Sequence, residues 1–266
     1  MALIHNQYTI NRDRLALYYD FTAAKGTSAD NSTVLDLSGN ARNATRNLSY
    51  TSSSASQPRR FATFGTGSAY RLQTSYTYSA VTALTYEMWI RTSDATYAAQ
   101  ILAQNRGTSL GAVSGISLTF GLTPIITTSG FYSTSQFGRL ALAIDSNSLI
   151  NLAYTDIAVN DGQWHHVVGL FSRASGTIVT GDFQIWVDGQ NRTLTTGPNA
   201  VSSSTSPITG LGGMTFGWHF EWNRSVATPG GHFNGDMTRI RVYERALGAQ
   251  EIQANYVNER PLHYNL

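Results

Sequence analysis

Residues 161–194 read DGQWHHVVGLFSRASGTIVTGDFQIWVDGQNRTL, and two Asp-Gly pairs punctuate the stretch. Asp188-Gly189 lies between two apolar runs. A two-residue hairpin turn needs φ > 0 at its centre, which Asp-Gly supplies, so residues 183–194 are predicted to form a hairpin. Asp161-Gly162 precedes WHHVVGLF, whose β-branched and aromatic residues favour a strand. Outward from here the same pattern recurs: short apolar runs bounded by Gly, Asn, Asp and Ser, with almost no helical periodicity. That is the signature of an all-β sandwich or barrel. Strands are predicted at residues 15–21, 60–64, 83–91, 116–122, 139–145, 165–172, 182–187, 214–222 and 237–243. One helix is predicted, LGAQEIQANYVNE at 247–259, with Leu247, Ile252 and Tyr256 on one face and Pro261 as its stop. It is expected to cap an edge or open end of the sandwich.

Length and composition agree with a folded chain. The 266 residues are 13% charged with a net charge of +2, outside the disordered range, and no Pro-rich or charged linker divides them. We read one domain, residues 12–259, with an N-terminal arm at 1–11 and a C-terminal tail at 260–266. Each arm carries apolar residues (Leu3, Ile4 and Tyr8; Leu262, Tyr264 and Leu266) suited to docking on a neighbouring subunit. The near balance of acids and bases gives no reason to expect nucleic acid as a partner. No stretch reaches the roughly 18 apolar residues that cross a bilayer, and the N-terminus lacks a signal-peptide core, so neither export nor membrane insertion is expected. The chain has no Cys, which excludes disulfides, thiol nucleophiles and thiolate metal sites. Lys25 is the only lysine among eighteen Lys and Arg residues. Codon usage explains this, or else a surface packed against other subunits through the planar fork of Arg.

Several segments follow one another in a known order. LALYYDF and VLDLSGNARNAT are followed by ATFGTGSAYRLQT and LTYEMWIRTSD. DGQWHHVVGLF with FQIWVDGQ comes next, and FNGDMTRIRVYERALGAQEIQANY closes the series. The set resembles the laminin-G-like, concanavalin A-like lectin/glucanase superfamily over residues 14–257. That resemblance implies a jelly roll of two antiparallel sheets. The ends, MALIHNQYTINRDRLALYYDF and the EIQANY helix with its short tail, look like those of laminin-G-like structural proteins of tailed bacteriophages, particularly of cyanobacteria. This implies a virion component, capsid decoration or tail, assembled in the host cytoplasm with other virion subunits or as a homo-oligomer and presenting a surface to host glycan or protein. A freestanding bacterial carbohydrate-binding module is the alternative, and a glycoside hydrolase a third reading.

Catalysis is not expected. A jelly-roll glucanase needs paired carboxylates about 5 to 9 Å apart. The five Glu (Glu87, Glu221, Glu244, Glu251 and Glu259) show no E-x-D-x-x-E pattern, and no predicted strand carries two acids at alternate positions. Glu87 and the adjacent His165 and His166 fall at ordinary superfamily positions and read as structural; neighbours on a strand point to opposite faces and cannot share a metal. The most informative remaining stretch is MTFGWHFEWNRSVATPGGHF. As a strand it puts Phe216, Trp218, Phe220 and Trp222 on one face, as core or as a binding platform. His219, Glu221, Asn223, Arg224 and His232, with Trp222, then form a candidate carbohydrate site of carboxylate, amide and stacking ring. Calcium is a common ligand in the resembled superfamily. The candidate oxygen donors are Asp20, Asp36 and Asn40, although Thr238 and Arg239 stand where many relatives carry acids.

Overall fold

A computed structural model describes residues 10–22, 33–47, 61–65, 71–95, 100–105, 116–122, 137–146, 149–196, 208–210, 212–217 and 232–263. These residues form two antiparallel sheets packed face to face as a jelly-roll sandwich, with one α-helix. One sheet has the order β1 (Leu15–Tyr19), β16 (Gly235–Tyr243), β6 (Ala83–Arg91), β11 (Trp164–Ser172), β12 (Phe183–Val187) and β13 (Gln190–Asn191), and β4 (Ala62–Phe64) also pairs with β16. The other runs β14 (Leu194–Thr196), β10 (Leu149–Ala158), β9 (Arg139–Ser146), β8 (Ile116–Leu122), β7 (Gln100–Asn105), β15 (Met214–Phe216), β5 (Arg71–Gln73), β3 (Ala44–Asn47) and β2 (Thr33–Val34).

The strands at 83–91 and 116–122 lie where the pattern puts them. The Asp188-Gly189 hairpin forms over 183–191, the two turn residues having φ of 51° and 74°, the doubly positive turn that Asp-Gly favours, while Leu194 crosses to pair with Thr155 in the other sheet. Five short strands of two to four residues (β2, β3, β5, β13 and β14), together with β7 and β10, are not among the predicted strands. A run that short has no measurable alternation, and β10 interrupts its apolar residues with Asn151 and Asp156. The strand predicted at 214–222 ends at Phe216 within the described residues, and 218–222 lie outside them. In WHHVVGLF, Val167 and Phe171 enter the core with Gly169 between them. A Cβ at Gly169 would stand 2.8 Å from the Phe120 ring, so the glycine lets the facing sheet approach.

The helix α1 (Ala249–His263) differs from expectation in two ways. It runs through Pro261 rather than stopping before it. Pro261 sits in the last turn, where its missing N–H removes a single helical bond, the one to the carbonyl of Val257. It also lies flat on the outer face of the seven-stranded sheet rather than at an open end, because Asn255 and Glu259 join Ile252 on its buried face and find polar partners there. Its start is set by Glu251, whose carboxylate accepts the Gly248 N–H at 2.9 Å and the Arg245 guanidinium through both oxygens.

The free edge of β1 is closed by the turn at 36–42. Asp36 accepts the Tyr18 N–H at 3.0 Å, Leu37 N–H donates to Tyr18 O, and Asn40 Nδ2 donates to Leu15 O and Ala16 O. These side chains stand in for a neighbouring strand and block edge-to-edge pairing.

Candidate functional site

Alternation along β6 sends Leu84, Tyr86, Met88 and Ile90 into the core and leaves Thr85, Glu87, Trp89 and Arg91 on the outer face. At the Arg91 end the register builds one row across four strands: Thr63 opposite Asp236, Asp236 opposite Arg91, and Arg91 opposite Trp164. Arg91 Nε and Nη2 donate to Asp236 Oδ2 at 2.9 and 2.7 Å, and Thr63 Oγ1 donates to Oδ1 at 2.8 Å. The guanidinium also lies over the Phe61 and Trp164 rings, 5.1 and 4.9 Å from their centroids. The pair is therefore rigid but not hidden, since the Arg91 side chain is 34% exposed. Beside it, Thr92 Oγ1 donates to Asn234 O, Asn234 Nδ2 to Asp94 Oδ2 at 2.9 Å, and Asn160 Nδ2 to Asp94 O.

The predicted carbohydrate residues belong to the chain that leaves and returns at this end. Gly217 N–H donates to Leu102 O, and Phe233 N–H donates to Gly217 O at 2.9 Å, so the two ends of segment 218–231 are pinned together. His219, Glu221, Trp222, Asn223 and Arg224 lie outside the described residues. His232 is buried, and burial pushes its imidazole pKa down. Reading the sequence alone missed Arg91, Asp94, Trp164, Asn234 and Asp236. Each is an ordinary strand or turn residue, and only register brings them together.

His165 and His166 take opposite faces, as adjacent strand residues must. His165 is held between the two Asp-Gly turns, Nδ1 at 2.8 Å from Asp188 Oδ2 and Nε2 at 3.0 Å from Asp161 Oδ1. Ionised carboxylates only accept, so both contacts are hydrogen bonds only when both ring nitrogens carry protons. Burial opposes the charged ring, but Asp188 and Asp161 outweigh it and raise the pKa above 6.5. A raised folded-state pKa means that stability is fully present below pH 6.5 and lost as pH rises through the folded value. The expected result is a His165 imidazole titrating above 6.5 by NMR, a thermal midpoint that declines as pH rises through that value, and loss of this decline in His165→Gln.

The calcium candidates do not converge. Asp36 spends its oxygens on the N–H groups of Tyr18, Ser38 and Arg42 and on the Ser38 hydroxyl. Asn40 donates to β1. Asp20 lies on the outer face of the sheet, accepting from Tyr18 Oη and Thr22 and 3.4 Å from Arg239. Among the described residues no group of three or more His, Asp or Glu is arranged to hold a metal ion.

Under α1 lies a buried ionic cluster. Glu87 accepts from His166 Nε2 at 2.9 Å, Asn255 Nδ2 at 2.7 Å and Arg241 Nη1 at 3.1 Å. Arg241 Nη2 donates to Glu259, which also accepts from Trp89 Nε1 at 2.8 Å. Tyr256 stacks on both Trp89 and His166 beside it, and those two rings meet at a tilt. A bulge aims the cations: β16 advances from Thr238 to Arg241 while β6 goes from Trp89 to Glu87, with Arg239 at φ 48°. The extra residue lets Arg239 as well as Arg241 reach Glu259.

Residues 64–253 match the family described as the concanavalin A-like lectin/glucanases superfamily. The chain belongs to that superfamily. No curated protein matches it by sequence. Among solved structures, its fold is similar to the binding domain of Paraclostridial Mosquitocidal Protein 1 (TM-score 0.58, 13% identity, 92% of this chain and 52% of that one). It is also similar to a botulinum neurotoxin type C structure concerned with two ganglioside molecules (TM-score 0.59, 11% identity, 92% and 51%). A third is domain 4 of AbnA, a GH43 extracellular arabinanase from Geobacillus stearothermophilus, in complex with arabinotriose (TM-score 0.51, 13% identity, 90% and 97%). The chain spans about half the length of the toxin structures and nearly all of the arabinanase domain. Like them it is a lectin-like jelly roll. In this superfamily member, no described helix is long and apolar enough to cross a membrane.

Proposed function

We propose that the chain binds carbohydrate without cleaving it, as a structural component of a tailed-phage virion, either capsid decoration or tail. The observation that carries the binding reading is the end of the sandwich at Arg91. There a rigid set of aromatic, guanidinium, amide and carboxylate groups adjoins the pinned base of the segment that carries Trp218, His219, Glu221, Trp222, Asn223 and Arg224. The arabinotriose held by the arabinanase domain, a jelly roll of nearly the same extent, supports sugar as the ligand class. The non-catalytic reading is supported by the Glu residues. Glu87, Glu244, Glu251 and Glu259 each accept hydrogen bonds from partners within the chain, and Glu87 and Glu259 are buried with their charge answered by Arg241. The virion reading rests on the phage-like ends, with the N-terminal arm docking on neighbouring subunits; residues 1–9 and 264–266 lie outside the described residues, and 260–263 of the expected tail belong to α1.

Two experiments test this. Antibody labelling of purified particles in the electron microscope is expected to decorate the virion, and a protein absent from particles would overturn the virion reading. Incubation with a polysaccharide panel is expected to release no reducing sugar from the wild type or from Glu221→Gln. Turnover that the substitution abolishes would show that the protein is an enzyme.

A further inference from the structure

We infer that the Arg91 row is itself a sugar-contacting surface and that its ligand is a neutral, hydroxyl-rich glycan rather than an acidic one; this rests on the carbohydrate-binding reading above. Arg91 offers Nε and one N–H of Nη2 to a single oxygen of Asp236, and Nη1 has no hydrogen-bond partner among the described residues. Its donors are therefore partly free, while its charge is answered within the protein at 2.7 Å. A carboxylate or sulfate gains most from a guanidinium whose charge is unmatched and whose fork is open. A hydroxyl asks for less: one N–H to accept from and one lone pair to donate to. Asp236 Oδ1, already holding the Thr63 hydroxyl at 2.8 Å, lies next to those donors.

The rest of the patch fits the same ligand. Phe61 is half-buried and offers an apolar surface for the C–H face of a sugar ring, and Asn234 and Asp94 add amide and carboxylate at one side. Within the row Asp236 already answers the charge of Arg91, which further disfavours an anion. The side chains are already fixed: the rings of Phe61 and Trp164 hold the guanidinium over their faces, and the Asp236 pair fixes its rotation. A surface ion pair contributes little to stability, so this degree of fixation is better accounted for by preorganisation, which lowers the entropic cost of binding.

The test uses the full chain and two sets of oligosaccharides, neutral (arabinotriose, xylotriose, maltotriose) and acidic (trigalacturonate, sialyllactose). Binding is followed by calorimetry and by the Arg91 Nε–H and Trp164 indole N–H resonances. At least one neutral trisaccharide is expected to bind with Kd of about 1 mM or tighter and to shift both resonances. Arg91→Gln is expected to weaken that binding about tenfold, and Phe61→Ala likewise, with each variant's fold checked by its NMR spectrum. Binding that leaves the Arg91 and Trp164 resonances unmoved, or tighter binding of an acidic sugar at these residues, overturns this inference and leaves carbohydrate binding standing. No binding by either set overturns both.

Discussion

Arg241→Ala is expected to cost about 3–5 kcal/mol, lowering the thermal midpoint by roughly 10 °C. Arg241 is fully buried and lies between Glu87 and Glu259, which are also buried. Removing the cation leaves two carboxylates desolvated on one side of the helix interface, a far larger penalty than the net worth of the intact pair. The damage should centre on α1. In hydrogen exchange the Ala249–His263 amides are expected to lose protection ahead of the sheets, since the helix is tied to the outer face mainly through Asn255, Tyr256 and Glu259. The cluster also predicts acid behaviour. Burial resists ionisation of Glu87, but Arg241, His166 and Asn255 overcome it and bring its pKa to about 2, below the ordinary 4.5. A depressed folded-state pKa gives stability that is present above pH 4.5 and lost as pH falls toward 2. Arg241→Ala should remove most of that dependence. A variant as stable as the wild type, with the same acid profile, would refute this account of how the helix is held.

Gly217→Ala is expected to cost about 3 kcal/mol and to open the loop base. Gly217 has φ +76°, and a Cβ there would stand 2.0 Å from Cδ1 of Phe64. Phe64 cannot yield: it is fully buried and packs edge-on against Phe233, 6.0 Å between centroids. Two costs add, about 1 kcal/mol for an L residue in left-handed backbone and roughly 2 kcal/mol for overpacking. Gly176 is the control, with φ +81° and nothing within 4 Å of its Cβ position, so Gly176→Ala should cost only the first. Because Gly217 O accepts the Phe233 N–H, the substitution is also expected to perturb the Phe233 and Gly235 amides in NMR spectra and to weaken sugar binding. Equal stability losses for the two variants would sink the steric argument.

The arginine bias looks different once the contacts are known. Arg192 pairs with both oxygens of Asp156, Arg245 with both oxygens of Glu251, and Arg12 donates to the carbonyls of Leu37 and Ser38. Arg42 lies over the Tyr76 ring at 4.3 Å. A lysine ammonium can reproduce neither the two-point geometry nor the planar stacking. Much of the preference is therefore accounted for inside one chain, without neighbouring subunits. A surface packed against neighbouring subunits would bury Arg12, Arg14, Arg59 and Arg60 near the N-terminal strands; Arg12 and Arg14 are exposed on the single chain, and Arg59 and Arg60 lie outside the described residues.

What was legible beforehand depended on chemistry local in sequence. The Asp188-Gly189 turn, the alternation of β6 and the existence of α1 each follow from residues within a few positions of one another, because turn dihedrals and side-chain periods are properties of short chain segments. The ordered motifs were enough to indicate the superfamily. The candidate site was hardly legible. Arg91 meets Asp236 across 145 positions and Trp89 meets Glu259 across 170, pairings that depend on strand register and on one bulge at Arg239. Nor could local signals show that α1 would lie on a sheet face, since its buried Asn255 and Glu259 read as solvent-facing until Glu87, Trp89 and Arg241 supply their partners. The sequence by itself determined the jelly roll and its turns. Only the tertiary structure decided which charges meet, because burial makes a polar side chain depend on neighbours that arrive from distant parts of the chain.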